Sequence, residues 1–290
     1  MTKRRLGLGV VAVLVLAIVG TAALCRLLPV RCAEAHERWS LRFPPESCAG
    51  LELPLMIAHA GGAVGGQTYS NSLEALDDSY GRGCRLFELD IQWTSDGELV
   101  LLHDWNATAA RIFGEEHGDN WRDRETFIHA PRLDGLTSLD LEGLVSWLVA
   151  HPDAVVVTDV KWENLQALAR LRSEVPGAEN RLIPQIYGFQ EYARARELGF
   201  DRIILTLYRS PARDREIADF ARSVPLFAVT MPLARAFGGL PAALDEVGVT
   251  SLVHTVNSPR NARRLAELGV DGIYTDHLTG CGATFAMVSP

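Results

Sequence analysis

His59, Glu88, Asp90, His103, Asp159 and Lys161 each stand at or just past the end of a short apolar run, and as a set they can move protons and hold charge. Glu88 and Asp90 are two residues apart, as are Asp159 and Lys161, and in an extended chain that spacing points both members of a pair to the same side. Three carboxylates converging on one point repel one another. A hard divalent cation with oxygen ligands, calcium or magnesium, resolves that repulsion at least cost and leaves coordination positions for a phosphate. Imidazoles at His59 and His103 exchange protons near neutral pH, as a general base and a general acid would, and the Lys161 ammonium neutralises a phosphate oxygen. Each residue taken singly has an ordinary reading, the Asp as a cap or turn residue and the His as a hydrogen-bonded packing residue. Only their convergence points to chemistry. Asp104, Asn257 and Asp276 occupy similar positions at run ends, and Arg209 follows the run RIILTLY as a further cation.

Convergence requires a scaffold that brings run ends together. Short runs rich in β-branched residues, bounded by Gly, Pro or Asp, alternate with stretches of helical period, which argues for a parallel sheet covered by helices. The runs are LMIAHA (55–60), RLFELDIQ (85–92), LVLLHD (99–104), AVVVTDV (154–160), LIPQIY (182–187), RIILTLY (202–208), LFAVTM (226–231), SLVHTVN (251–257) and GIYTD (272–276). Helical stretches fall around 71–80, 139–150, 163–173, 189–198, 213–222, 241–247 and 259–268. One alternating series over residues 51–290 fits a single α/β domain, a (β/α)8 TIM barrel, whose strand ends meet at one mouth. Nine strands are one too many for it. Asp96-Gly97 is a hairpin-type turn between the second and third runs, so one of that pair can lie outside the barrel, or LFAVTM is not a barrel strand. Residues 105–137 break the rhythm and read either as a lid facing the substrate or as a solvated loop. Trp93, Trp105 and Trp162 closely follow proposed site residues, either as an aromatic rim for a choline-like group or as plugs of the barrel mouth.

Lys3, Arg4 and Arg5 precede an uncharged apolar run from Leu6 to Cys25, which as a helix rises roughly 30 Å, about one hydrocarbon core. Residues 1–25 therefore read as a basic tip and a transmembrane signal anchor, and residues 26–50, which mix Arg, Glu and Pro, as a tether. The positive-inside tendency places the remaining domain on the extracytoplasmic side. Ala33-Glu34-Ala35 offers a cleavage site that would release it. Leu24 is too bulky for a lipidation signal at Cys25. The other cysteines, Cys32, Cys48, Cys84 and Cys281, have neither metal-site spacing nor a readable disulfide framework. The formal net charge of -8 and the absence of a basic stripe in the body of the chain exclude nucleic acid as a partner.

The order IAHAGG, NSLEAL, GCRLFELDIQWTSDGELVLLHD, then TDVK, HTVN and GVDGIYTD resembles the glycerophosphodiester phosphodiesterase family over about residues 55–277. The matching family elements are a His-Arg-Gly strand end, an Asn-Thr helix start, Glu-x-Asp and His-Asp strand ends, Glu-x-Lys, Trp-Thr-Val-Asn and Asp-Gly-x-x-Thr-Asp. The block from Glu88 to Asp104 is the most specific. The resemblance implies a barrel enzyme in which His59 and His103 are the catalytic pair, Glu88, Asp90 and Asp159 hold the metal, and Lys161 holds the phosphate, with Asn71, Asp104, Asn257 and Asp276 around the mouth.

The departures are as informative. Ala60 stands where the family has Arg after its first His, and Ser70 where it has Glu before its Asn. Lys161 and Arg209 would then carry more of the phosphate. Asp159 replaces the usual Glu, giving an Asp-x-Lys that looks like the related sphingomyelinase D and phospholipase D toxins. His254 replaces Trp, either as a third functional imidazole or as pore-lining packing. Three readings follow: a phosphodiesterase acting on glycerophosphodiesters or lipid headgroups, a phospholipase D-like enzyme on intact lipids, and a barrel that binds a phosphorylated ligand without turnover.

Overall fold

Alternation along the strands decides which side chains fill the interior. The computed structural model describes residues 55–114 and 122–277. Its strands are β1 (Leu55–Ala58), β2 (Leu86–Trp93), β3 (Leu99–Leu101), β4 (Val155–Val160), β5 (Leu182–Ile186), β6 (Ile204–Thr206), β7 (Ala228–Pro232), β8 (Thr250–His254) and β9 (Gly272–Thr275). In β2, Phe87, Leu89 and Ile91 pack outward against the helices, while Leu86 faces the barrel interior. Period two then carries Glu88 and Asp90 inward above Leu86. In β4 the inward side is Val155 and Val157, and Asp159 continues it. Ile57, Ile183, Ile204, Ala228 and Leu252 complete the same apolar floor. Two residues further along β1, β5, β6, β7 and β8 come His59, Gln185, Thr206, Thr230 and His254. An apolar lower layer and a polar upper layer thus arise from one alternation.

The pairing closes the sheet. β1 pairs in parallel with both β2 and β9, and the sheet runs β1-β9-β8-β7-β6-β5-β4-β2, giving eight parallel strands in a (β/α)8 TIM barrel. The ninth strand is β3, which pairs antiparallel with β2 in the register Ile91↔Leu101 and Trp93↔Leu99. It is the excursion at the Asp96-Gly97 turn, and the LFAVTM run lies within the barrel as β7. The register Asp90↔Asp159 between β2 and β4 sets two carboxylates side by side. LVLLHD is extended only as far as Leu101. His103 and Asp104 leave the strand because Asp104 Oδ1 accepts from the backbone N–H groups of Asn106 and Thr108 at 2.9 and 3.2 Å, entering the helix Ala107–Phe113.

Residues 105–114 and 122–137, where the sequence has no period, contain that helix and a second, Arg124–His129. They close a small core of their own, in which Trp105 and Phe113 each meet Phe127 edge-on at 5.7 Å. Among the described residues no helix is long and apolar enough to cross a membrane. The expected anchor and tether, and the cysteines other than Cys84, lie outside the described residues. Cys84 is a thiol half-buried against the main core.

The turn after β1 is closely fitted. Gly62 has φ +95, and a Cβ there would meet Ser79 Oγ at 2.2 Å, the hydroxyl that donates to Gly61 O at 2.7 Å. Gly62→Ala combines a left-handed backbone with a clash and is expected to destabilise the domain by more than about 1 kcal/mol. A urea unfolding midpoint unchanged from wild type would contradict this.

Candidate active site

The inward polar layer surrounds a cavity of about 100 Å³ lined by His59, Glu88, Asp90, His103, Asp159 and Lys161, together with Tyr69, Gln185, Tyr187, Thr206, Tyr208, His254, Thr255 and Tyr274. All six residues singled out for chemistry are therefore on one wall-to-wall surface. Glu88 and Asp90 are buried. Glu88 Oε2 accepts from the Ala60 N–H at 2.8 Å and lies 4.0 Å from His59 Nε2. Lys161 Nζ sits 2.5 Å from Asp90 Oδ1 and 3.1 Å from Asp159 Oδ2, and the Tyr187 hydroxyl donates to Asp159 Oδ1.

Four of the other expected residues stand behind this surface and hold it. Asn71 clamps Asp90, donating from Nδ2 to Oδ2 and accepting the Asp90 N–H at Oδ1, both at 3.0 Å. It does so from φ +46, a conformation that Asn tolerates better than most residues. Asp276 Oδ1 is 2.8 Å from His59 Nδ1, and Asn257 holds Asp276 reciprocally, with Nδ2 to Oδ2 at 2.6 Å and the Asp276 N–H to Oδ1 at 2.8 Å. Asp104 Oδ2 is 2.6 Å from His103 Nδ1 and accepts from the Thr108 hydroxyl at 2.7 Å. Each imidazole is thus anchored through Nδ1 by a carboxylate, leaving Nε2 as its other nitrogen. Arg209 is not drawn in: it is exposed, lies outside the cavity lining, and its guanidinium is 5.9 Å from the Tyr208 ring centroid.

Burial and charge set the protonation of this cluster. Burial disfavours the charged form of His59, but Asp276, Glu88 and Asp90 outweigh it and raise its pKa to about 9. Burial and the neighbouring Asp90 push Glu88 upward. Asp90 is also buried, yet Lys161 holds it below the usual carboxylate range, while burial raises Asp159 against the pull of the same ammonium. Asp104 is held low, against its burial, by its hydrogen bonds from His103 and Thr108. Lys161 therefore pairs with two of the three carboxylates, and Glu88, with His59 4.0 Å away, is left the least compensated. Glu88, Asp90 and Asp159 each offer an oxygen within 4.8 Å of the others. Two oxygens bound about 2.4 Å from a calcium ion can be no more than about 4.8 Å apart, so this all-oxygen donor set fits a hard divalent cation.

His254 lies on the opposite part of the lining, with Nδ1 3.1 Å from Thr230 Oγ1 and its ring 6.0 Å from Tyr274. Burial, with a smaller push from His59, lowers its pKa to about 4, so it is neutral at physiological pH. Of the three tryptophans, none lines the cavity. Trp105 is buried and donates from Nε1 to Trp93 O at 3.0 Å, whereas Trp162 is exposed. Nor do the described parts of residues 105–137 contribute to the lining.

Residues 60–206 match the model of the glycerophosphoryl diester phosphodiesterase family, a little over half of the 290-residue chain. The chain belongs to that family. It is 25% identical over 238 residues to a glycerophosphodiester phosphodiesterase of Bacillus altitudinis, covering 76% of this chain and 94% of that one. The crystal structure of the Thermotoga maritima glycerophosphodiester phosphodiesterase superimposes with a TM-score of 0.63 at 17% identity, covering 77% of this chain and 94% of that chain. A phosphodiesterase of Oleispira antarctica, solved in complex with the product sn-glycerol-3-phosphate, gives 0.60 at 17% identity, covering 80% and 96%. As a glycerophosphoryl diester phosphodiesterase family member the chain is a phosphoric diester hydrolase. Its departures from the family pattern have visible consequences. Ala60, in place of Arg, is fully buried, and Lys161 is the one lysine or arginine among the lining residues. Ser70, in place of Glu, is buried behind the lining with its hydroxyl 3.1 Å from that of Ser72.

Several lining residues escaped sequence reasoning. Gln185, Thr206, Tyr187 and Tyr208 obey the inward period of β5 and β6 and were legible as polar or aromatic residues on an apolar face. Tyr69 belongs to the loop GGAVGGQTYS, which has no period and gave no signal.

Proposed function

We propose that the chain hydrolyses glycerophosphodiesters to glycerol phosphate and an alcohol. The observation that carries this reading is the pair of carboxylate-anchored imidazoles on one cavity with a three-carboxylate cluster and a lysine. In this reading Glu88, Asp90 and Asp159 hold a divalent cation, calcium or magnesium, which when bound offsets negative charge that develops on the phosphoryl oxygens. Lys161 neutralises a phosphoryl oxygen. A hydroxyl of the substrate next to the phosphodiester, or water, attacks phosphorus, and one imidazole takes its proton. The bond from phosphorus to the departing oxygen breaks, and the other imidazole supplies the proton that makes it an alcohol; where the substrate hydroxyl was the attacking group, water then opens the cyclic phosphate with the two imidazoles in exchanged roles, giving glycerol phosphate. Asp276 and Asp104 fix the ring orientations, and Asp276 favours the imidazolium of His59. Asn71 keeps Asp90 aimed inward.

On the sequence alone we also propose that the apolar run Leu6 to Cys25 anchors the chain in a membrane with its domain on the extracytoplasmic side, or that cleavage after Ala35 releases it. The substrate would then be a small phosphodiester or a lipid headgroup in that compartment.

Product analysis tests the catalytic reading. The purified protein with glycerophosphocholine is expected to release glycerol phosphate and choline. Release of phosphocholine, or cleavage confined to intact lipids, would refute it.

A further inference from the structure

A phosphodiester bound between His59 and His103 needs donors for its non-bridging oxygens, and besides the two histidines the lining offers one cation. That cation, Lys161, is already within 2.5 and 3.1 Å of Asp90 and Asp159, and the guanidinium expected after the first histidine is absent at Ala60. Neutral donors must make up the difference. Tyr187 is engaged on Asp159, His254 lies against Thr230, and Tyr208 is largely exposed. Tyr69 is the lining residue placed against both imidazoles: its ring meets His59 edge-on at 4.6 Å and His103 edge-on at 5.0 Å. A phosphorus centre served by both histidines therefore lies beside this phenol.

The chain adopts a costly conformation to put it there. Tyr69 has φ +54, in the left-handed region, and so have Ala60 at +48 and Asn71 at +46. For a bulky aromatic such a φ persists only where its surroundings enforce it, and these conformations cluster at functional sites. Here the enforcement comes from Asn71, whose N–H donates to Ala60 O at 3.2 Å and whose side chain is locked on Asp90. Burial, together with the nearby Asp276, Asp90 and Glu88, raises the pKa of the phenol. With its proton retained, the hydroxyl is a neutral donor at neutral pH.

We propose that the Tyr69 hydroxyl donates a hydrogen bond to a non-bridging phosphoryl oxygen of the bound phosphodiester, in place of the guanidinium that Ala60 lacks. This rests on the phosphodiesterase reading above and adds to it a catalytic residue in direct contact with substrate. A neutral donor beside three carboxylates also explains how the pocket grips phosphate with a single lysine. It bonds the anion without adding a charge that the carboxylates would capture.

The test compares the wild-type full chain with Tyr69→Phe, which removes one oxygen and keeps the ring contacts; both are assayed well below their melting temperatures. Substrates are a glycerophosphodiester and its two phosphorothioate diastereomers, in which sulfur, a poor hydrogen-bond acceptor, replaces one non-bridging oxygen. The variant is expected to lose about 100-fold in kcat/KM on the oxygen substrate, the scale of one donor aimed at developing charge. Its oxygen-to-sulfur rate ratio should fall for one diastereomer, because the bond that sulfur disrupts is already gone. A kcat/KM within twofold of wild type, or a rate loss with both ratios unchanged, overturns the assignment and leaves Tyr69 a packing residue. A wild-type protein that turns over no glycerophosphodiester sinks the substrate reading separately. Tyr69 is then judged by calorimetric titration with sn-glycerol-3-phosphate, where Tyr69→Phe should bind about 10-fold more weakly and equal affinity overturns the proposal.

Discussion

His59→Ala is expected to lower kcat for glycerophosphodiester hydrolysis by about 1,000-fold, with little change in KM, since general acid or base catalysis contributes about 100- to 10,000-fold. His59 is buried and held by Asp276 at 2.8 Å, and Asp276 is held by Asn257 through two hydrogen bonds. The ring is therefore oriented before substrate arrives, and its loss removes a positioned proton carrier, not a mobile one. The chain of contacts also predicts a second effect that simple damage would not produce. Asp276 is foremost among the carboxylates that raise the His59 pKa against its burial. Asp276→Asn removes that charge, so the limb of the pH–rate profile belonging to His59 should move to lower pH. If His59→Ala keeps more than a tenth of wild-type kcat, or the Asp276→Asn profile does not move, His59 is not the proton carrier.

How much of this was legible in the sequence follows from which physical signals act locally. The β2 strand announces its inward face through Leu86, Glu88 and Asp90 against Phe87, Leu89 and Ile91, because period two is a property of six consecutive residues. The same signal located Asp159, Lys161 and His254. It was silent on Arg209, which stands two residues past the outward-facing Leu207 and is exposed to solvent in the loop. The count of nine strands was readable, yet which of them left the barrel was not: the hairpin turn at Asp96-Gly97 allowed either β2 or β3 to be the excursion, and the LFAVTM run could equally have lain outside it. Register with β4 and β1 decides it, and that pairing joins residues far apart in the chain. Tyr69 was invisible for the same kind of reason. A loop residue gains its role from a left-handed backbone and from imidazoles 10 residues before it and 34 after it, and no local pattern encodes either. Asn71 and Asn257 could be placed near the mouth, but their work as clamps on Asp90 and Asp276 depends on distances that only the closed barrel sets.

Removal of divalent metal should abolish turnover by about 1,000-fold or more and also lower stability, and the electrostatics of the cluster explain why both effects belong together. Glu88, Asp90 and Asp159 bring oxygens within 4.8 Å of one another, and of these three carboxylates the Lys161 ammonium pairs with Asp90 and Asp159. Glu88 is left with the Ala60 N–H and a histidine 4.0 Å away, and burial beside Asp90 raises its pKa. Without a cation the folded protein must either protonate Glu88 or bear the repulsion, and neither state offers a phosphate the positive charge that the ion would supply. A divalent ion that binds only the folded chain stabilises it by about 2.7 kcal/mol at a concentration 100 times its dissociation constant. Polarisation of a phosphoryl oxygen contributes several kcal/mol to the rate, each 1.36 kcal/mol being tenfold. Chelator-treated protein should therefore melt lower and be inactive, with magnesium or calcium restoring both properties. Asp90→Asn should lose both responses, since it removes one ligand and the principal partner of Lys161. Full activity in excess chelator would mean that Lys161 alone neutralises the cluster; restored melting without restored turnover would make the ion structural and separate it from the chemistry of His59 and His103.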